Sequence, residues 1–257
     1  MKKAYLDLPY GQMHYRHAGS GKPVILLHMS GSSSDEYERV GNILSSEYSV
    51  YALDFMGFGG SDRPDHYFSF EEHAQSVKDF ADAMGISSAY FCGNLVGANI
   101  TVHIAADYPH LVEKAVLFHC CYNSDPHYWA SFRDSAFSKI EVSGDGAHLL
   151  EQWKRSHKYG DAPEISNERC ICLHKANDWG EALHWALCDD TDLASYLPRA
   201  NTKAKMFAYP VMENKTPAEA AALMQDCRFE LLSDATPYIA RSMPERYAGL
   251  LRDFFSE

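Results

Sequence analysis

The stretch Gly93-Asn94-Leu95-Val96-Gly97 follows the apolar run Ala89-Tyr90-Phe91-Cys92 and precedes the helical pattern Ala98 to Asp107. Two glycines around a three-residue corner, between a strand pattern and a helix pattern, frame a sharp turn that presents its middle residue above a sheet. That residue ordinarily attacks a substrate. Here it is Leu95, which has neither a proton to give nor a lone pair to attack with.

Strand and helix patterns alternate on both sides of this corner, which predicts an α/β fold with a mostly parallel central sheet flanked by helices. Tyr5 to Leu8 and Met13 to His17 read as an opening hairpin around Pro9-Tyr10-Gly11. Val24-Ile25-Leu26-Leu27-His28 has the continuous apolar character of a strand buried on both faces. It opens into a Gly/Ser loop, Met29 to Ser34, with a helix expected from about Asp35 to Leu44. Val50 to Asp54 is the next strand. Ser69 and Glu72 have the spacing of a capping box, and Val77, Phe80, Ala81 and Met84 give the following helix its apolar stripe up to Gly85.

After a strand at Val112 to Phe118 the rhythm breaks. From about Cys120 to Ala200 the spacing is helical and rich in aromatics, including Trp129, Trp153, Trp179 and Trp185, which predicts an inserted helical cap. Alternation resumes with a strand at Lys205 to Tyr209, a helix at Pro217 to Met224, a strand at Arg228 to Leu232 and a final amphipathic helix carrying Tyr247, Leu250, Leu251 and Phe254. The expected division is a core over 1–119, a cap over 120–200 and the rest of the core over 201–257.

A chain of 257 residues, 46% of them hydrophobic, can bury one sizeable core around such an insertion. The net charge of −12, without a clustered Lys/Arg face, argues against nucleic acid or an anionic membrane surface as partner. A small-molecule substrate or ligand is expected instead, and a homodimer stays open. Met1-Lys2-Lys3 is followed by no apolar run and no segment is long enough to span a bilayer, so the cytoplasm is the default location. Seven cysteines without small-scaffold spacing fit reduced thiols. Cys170-Ile171-Cys172-Leu173-His174 lacks the second ligand pair of a structural zinc site, so no metal is expected, and no cofactor motif is found.

Four signals agree in order and spacing: Leu26-Leu27-His28 before a Gly/Ser loop, Asp54-x-x-Gly57-x-Gly59-x-Ser61-Asp62, Gly93-x-x-x-Gly97, and Thr216-Pro217 after the penultimate strand. Over essentially the whole chain this pattern resembles the α/β-hydrolase superfamily, in a branch with altered oxyanion loops and a non-Ser elbow. The resemblance implies a Ser-His-acid triad whose Ser falls on Leu95 and whose His falls on Thr236 or Pro237, counting back from Pro244-Glu245. Only the acid, Glu213, is left. The first loop reads His28-Met29 where the superfamily usually has His-Gly. An oxyanion hole would use the backbone N–H groups of Met29 and Val96, which Leu95 does not remove.

The remaining candidates for chemistry are His28 at the loop mouth, Asn94 beside the corner, and Cys120 or Cys121 next to His119. Glu213 is a further candidate, as a general base in its own right. A pocket would be walled by Ser30, His119, Trp129 and Trp185, together with Tyr128 and Trp179. Three functions follow: an enzyme acting on a small carbonyl compound without the triad, by lyase, isomerase, decarboxylase or non-covalent hydrolase chemistry; a catalytically inactive small-molecule binding protein; and a hydrolase with a relocated thiol. Polar groups converging on Leu95 would favour catalysis, whereas an apolar lining would favour binding.

Overall fold

The computed structural model describes residues 1–135, 140–189, 192–210 and 216–257. Its centre is a sheet of eight strands: β1 (Lys2–Leu8), β2 (Gly11–Ala18), β3 (Lys22–Leu27), β4 (Tyr48–Leu53), β5 (Ala89–Asn94), β6 (Val112–Phe118), β7 (Lys203–Ala208) and β8 (Cys227–Leu231). Their order is β1-β2-β4-β3-β5-β6-β7-β8. β2 runs antiparallel to β1 and β4, and the remaining neighbours pair in parallel. β3 and β5 lie in the middle with Ile25, Leu26, Phe91 and Cys92 fully buried, as their unbroken apolar runs require.

The helices of the core are α1 (Glu38–Leu44), α2 (Phe70–Ala83) and α3 (Val96–Asp107). The expected single helix from Asp35 is instead a 3-10 turn, Ser34–Tyr37, that leads into α1. The turn forms because the Ser34 N–H is drawn onto the buried Asp54 carboxylate at 2.5 Å. The Ser69–Glu72 capping box is present on α2 in both directions, and Gly85 beyond it has φ 67°. Two apolar layers result, one of α2 and α3 against one face of the sheet, the other of α1 and the last helix against the opposite face.

Between β6 and β7 lie α4 (Pro126–Ser135), α5 (Ala147–Ser156), α6 (Pro163–Ala176), α7 (Asp178–Asp189) and the single turn α8 (Leu193–Tyr196). After β7 come α9 (Thr216–Leu223), the short α10 (Ile239–Ser242), which local pattern does not foretell, and α11 (Pro244–Phe255). Cys170 and Cys172 are buried on α6, and all seven cysteines are free thiols. Among the described residues no group of three or more His, Cys, Asp or Glu could hold a metal ion, and no helix is long and apolar enough to cross a membrane.

Candidate functional site

Leu95 sits between the end of β5 and α3 with φ 52° and ψ −115°. A side chain held in that region costs about 1–3 kcal/mol, which the surroundings must over-determine. They do so through the two glycines. A Cβ on Gly93 would lie 2.1 Å from the Gly97 carbonyl oxygen, and one on Gly97 would lie 2.2 Å from that of Leu27. The corner is therefore a tight strand-to-helix turn with a leucine at its middle position.

Leu95 has apolar neighbours, and Arg169, Lys158 and Asp161 lie near the two tyrosines among them. The leucine is partly buried against Met29, Ile165 of α6, Tyr238 and Tyr159. The segment expected to bring the histidine does arrive here, but it carries Thr236, Pro237 and Tyr238. Thr236 Oγ1 donates to the Asp161 carboxylate at 3.0 Å, and the Tyr238 hydroxyl donates to the Ser156 carbonyl at 3.1 Å. Thr236 and Tyr238 thereby fasten this segment to the stretch from α5 to α6. Glu213 lies outside the described residues.

The Met29 amide already has an acceptor, Glu36 Oε2 at 3.3 Å. Glu36 is buried, and its other oxygen accepts from Asn94 Nδ2 at 2.8 Å. Asn94 also donates to the Pro237 carbonyl at 3.0 Å and accepts from the Tyr209 hydroxyl at 3.0 Å. One buried amide thus ties together the loop after β3, the chain beyond β7 and the segment before α10. Val96 opens α3, and its amide is one of the first-turn donors that have no acceptor within the helix.

The histidines that border the elbow serve the backbone. His28 Nε2 accepts from the Phe55 amide at 3.1 Å, so its proton is on Nδ1, which reaches the Met29 carbonyl at 2.8 Å. Burial pulls this imidazole below its usual range and keeps it neutral. His119, at φ 54°, accepts from the Tyr209 amide at 3.1 Å and stacks on its ring. Cys120 is fully buried with its thiol 3.4 Å from Asn99 Oδ1. Burial pushes the neighbouring Cys121 thiol up to about 12.

Asp54, Gly57, Gly59 and Ser61 form a brace for the site. The Asp54 carboxylate receives His14 Nδ1 at 2.7 Å and the Gly60 amide at 2.6 Å. Burial alone would raise this carboxyl, but those hydrogen bonds outweigh it and hold Asp54 below the ordinary carboxylate range. Gly57, at φ 89°, lies under Trp179, where a Cβ would fall 2.0 Å from the indole. Trp129 stacks edge-on with Tyr128 and Phe132 on α4, and Trp185 stands on the surface beside Tyr67. These rings do not gather around Leu95.

Sequence reasoning did not single out Arg169, Arg241 or His184. Arg169 of α6 is buried and donates to the carbonyls of Ser30, at 2.5 Å, and Gly31. Ser30 Oγ donates to the Gly180 carbonyl at 3.0 Å, beside His184, whose imidazole burial drives down to about 3. Arg241 of α10 bonds Glu168 at 2.8 Å and Asp35 at 3.3 Å. Burial would raise the Asp35 carboxyl, yet the Arg241 guanidinium holds it low. A cleft of about 340 Å³ also reaches Glu36, but Arg16, Arg39 and Arg241 along it are paired with Glu38 and Glu168. No local pattern marks these arginines, because their partners are distant in the chain.

Comparison with known proteins agrees with this architecture. A family model described as alpha/beta hydrolase fold matches residues 22–140. The 2-hydroxy-6-oxo-6-phenylhexa-2,4-dienoate hydrolase of Comamonas testosteroni is 32% identical over 120 residues, 43% of this chain and 41% of that protein. Haloalkane dehalogenase 2 of Mycobacterium tuberculosis is 29% identical over 114 residues, 44% of this chain and 40% of that one. The match thus spans less than half the length of these curated relatives. Among solved structures, the enol-lactonase of Burkholderia xenovorans LB400 superposes with a TM-score of 0.83 at 19% identity, covering 99% of this chain and 100% of that one. This chain has the α/β-hydrolase fold, which the family model over residues 22–140 and the structural superposition both describe.

Proposed function

We propose that this protein uses the hydrolase scaffold to bind a small, largely apolar molecule and does not perform covalent acyl transfer. The observation that carries the reading is the setting of Leu95, which packs on Met29, Ile165, Tyr238 and Tyr159 where a nucleophile would need an imidazole. The Met29 amide is engaged by Glu36, so an oxyanion would find one donor, Val96, in place of a pair. A carbonyl or ether oxygen on an otherwise apolar ligand suits one amide beside an apolar wall.

A second reading is catalysis without the triad on a small carbonyl compound, by lyase, isomerase, decarboxylase or non-covalent hydrolase chemistry. Its support is the Val96 donor and the likeness to a dienoate hydrolase. Loss of the nucleophile leaves a triad enzyme only about 10³ to 10⁴ over water, so such an enzyme would depend on a general base, for which Glu213 is the candidate.

The experiment is a panel of carbonyl compounds and esters, read by calorimetry for binding and by chromatography for turnover. Saturable binding that Leu95→Asp abolishes, with no product formed, is the expected result. Turnover that Glu213→Gln removes while binding persists would overturn it in favour of the second reading.

A further inference from the structure

The strand β8 closes the sheet on one side, and its sequence, Cys227-Arg228-Phe229-Glu230-Leu231, leaves two large apolar side chains in solvent. Phe229 is 42% exposed and Leu231 55%, and Leu223 of α9, which packs on this strand, is 39% exposed. Edge strands of stable monomers are commonly blunted by proline, a bulge or inward charge. Between Cys227 and Leu231 there is no proline and no bulge, and the two charged side chains, Arg228 and Glu230, are engaged by Glu257 and Lys205.

The hydrogen-bonding directions follow from the ladder to β7. The Leu232 amide donates to the Ala208 carbonyl, and the Asp226 carbonyl accepts from the Ala204 amide. Even-numbered residues therefore spend their backbone groups on β7. The N–H and C=O groups of Cys227, Phe229 and Leu231 point outward.

We infer that β8 is the dimerisation edge of this protein, pairing antiparallel with β8 of a second copy about a two-fold axis at Phe229. In that register Phe229 opposes Phe229 of the other copy, and Cys227 opposes Leu231. The outward groups close about six hydrogen bonds, since each directly opposed pair exchanges two. Arg228 and Glu230, which pair with Glu257 and Lys205 within each copy, fall opposite each other twice at the closer non-hydrogen-bonded spacing, so unlike charges and not like ones face across the seam. The strand matches itself in charge, apolar content and free backbone groups, which is what an isologous interface requires. It is also electrically neutral, so the seam adds no like-charge contact to the general repulsion between two chains of charge −12.

The test is sedimentation of the full chain at tens of micromolar. The wild type is expected as a dimer, and Phe229→Lys and Phe229→Pro as monomers with unchanged circular dichroism. Phe229→Pro deletes only an outward N–H, so the bonds to β7 are kept. Directly opposed Cα atoms of such a pair lie about 5.5 Å apart, within disulfide reach. Phe229→Cys should therefore cross-link on mild oxidation, whereas Val142→Cys, at a position 80% exposed, should not exceed the wild-type background. A monomeric wild type would overturn the proposal. So would a dimer that survives both Phe229 substitutions, or one in which Phe229→Cys cross-links no better than Val142→Cys.

Discussion

Asn94 holds the Glu36 carboxylate at 2.8 Å, and the same Glu36 holds the Met29 amide at 3.3 Å. The residue beside the elbow and the loop that would stabilise an oxyanion are thus coupled through one buried acid. Replacing Asn94 by Leu would leave Glu36 and the Tyr209 hydroxyl without their partner. Each uncompensated buried group costs about 1–3 kcal/mol, more for a charge. Chemical denaturation should report a loss of about 3 kcal/mol or more for Asn94→Leu; a loss under about 1 kcal/mol would show the network to be dispensable.

Arg169 fixes α6 to the loop after β3 through the Ser30 and Gly31 carbonyls. Arg169→Met keeps the length of the apolar stem and removes both charged hydrogen bonds, each worth about 1.5–3 kcal/mol. The inserted helices should then be cut by protease faster than the core. Arg169→Lys should recover only part of the protection, because an ammonium cannot present the planar fork that spans two carbonyls. Equal cleavage of all three proteins would refute the clamp.

Gly97→Ala tests the elbow itself. The added methyl would meet the Leu27 carbonyl oxygen at 2.2 Å, and neither strand nor helix can retreat without breaking the corner. Such backbone clashes rank among the changes that exceed about 4 kcal/mol, so the variant should be found mainly in inclusion bodies or with a much lower Tm. Gly249→Ala, at a position open within 4 Å, is the control and should leave Tm unchanged or higher.

Stability should fall as the solution is acidified. Burial lowers His28, and carries His73 and His184 down to about 3, against an ordinary value of 6.5. Below pH 6.5 the unfolded chain takes up protons that the folded chain refuses. The stability these groups contribute is complete above 6.5 and declines toward the folded values, by about 1.4 kcal/mol per pH unit for each histidine at most. Asp35 and Asp54, held below 3.8, act in the same direction at lower pH, losing their contribution as pH falls through their folded values. Scanning calorimetry should give a lower Tm at pH 5 than at pH 7.5; a flat or inverted profile would contradict the buried, neutral state of these imidazoles.

The thiols beside His119 should be slow nucleophiles. Cys120 is fully buried and closed to a reagent, and with Cys121 pushed up to about 12 little of its thiolate exists near neutrality. Iodoacetamide labelling followed by mass spectrometry should find both slower than glutathione. Faster labelling of either would revive a relocated thiol.

Local pattern carried much of this protein. Apolar runs, the Ser69–Glu72 box and the glycines around Leu95 mark strands, a helix start and a corner, because each depends on neighbours within a few residues. The sequence by itself also determined that the elbow holds a leucine, since the two glycines fix the position whatever surrounds it. What lies around that leucine was decided only by tertiary structure. Ile165, Tyr159, Tyr238, Arg169 and Glu36 come from loops and helices far apart in the chain, and hydrophobic periodicity records which side of an element is buried without recording against what. Where Arg169 ends, and which acceptor the Met29 amide meets, depends on how α6 and the turn before α1 dock on the sheet, a matter of packing between distant elements and not of local backbone preference.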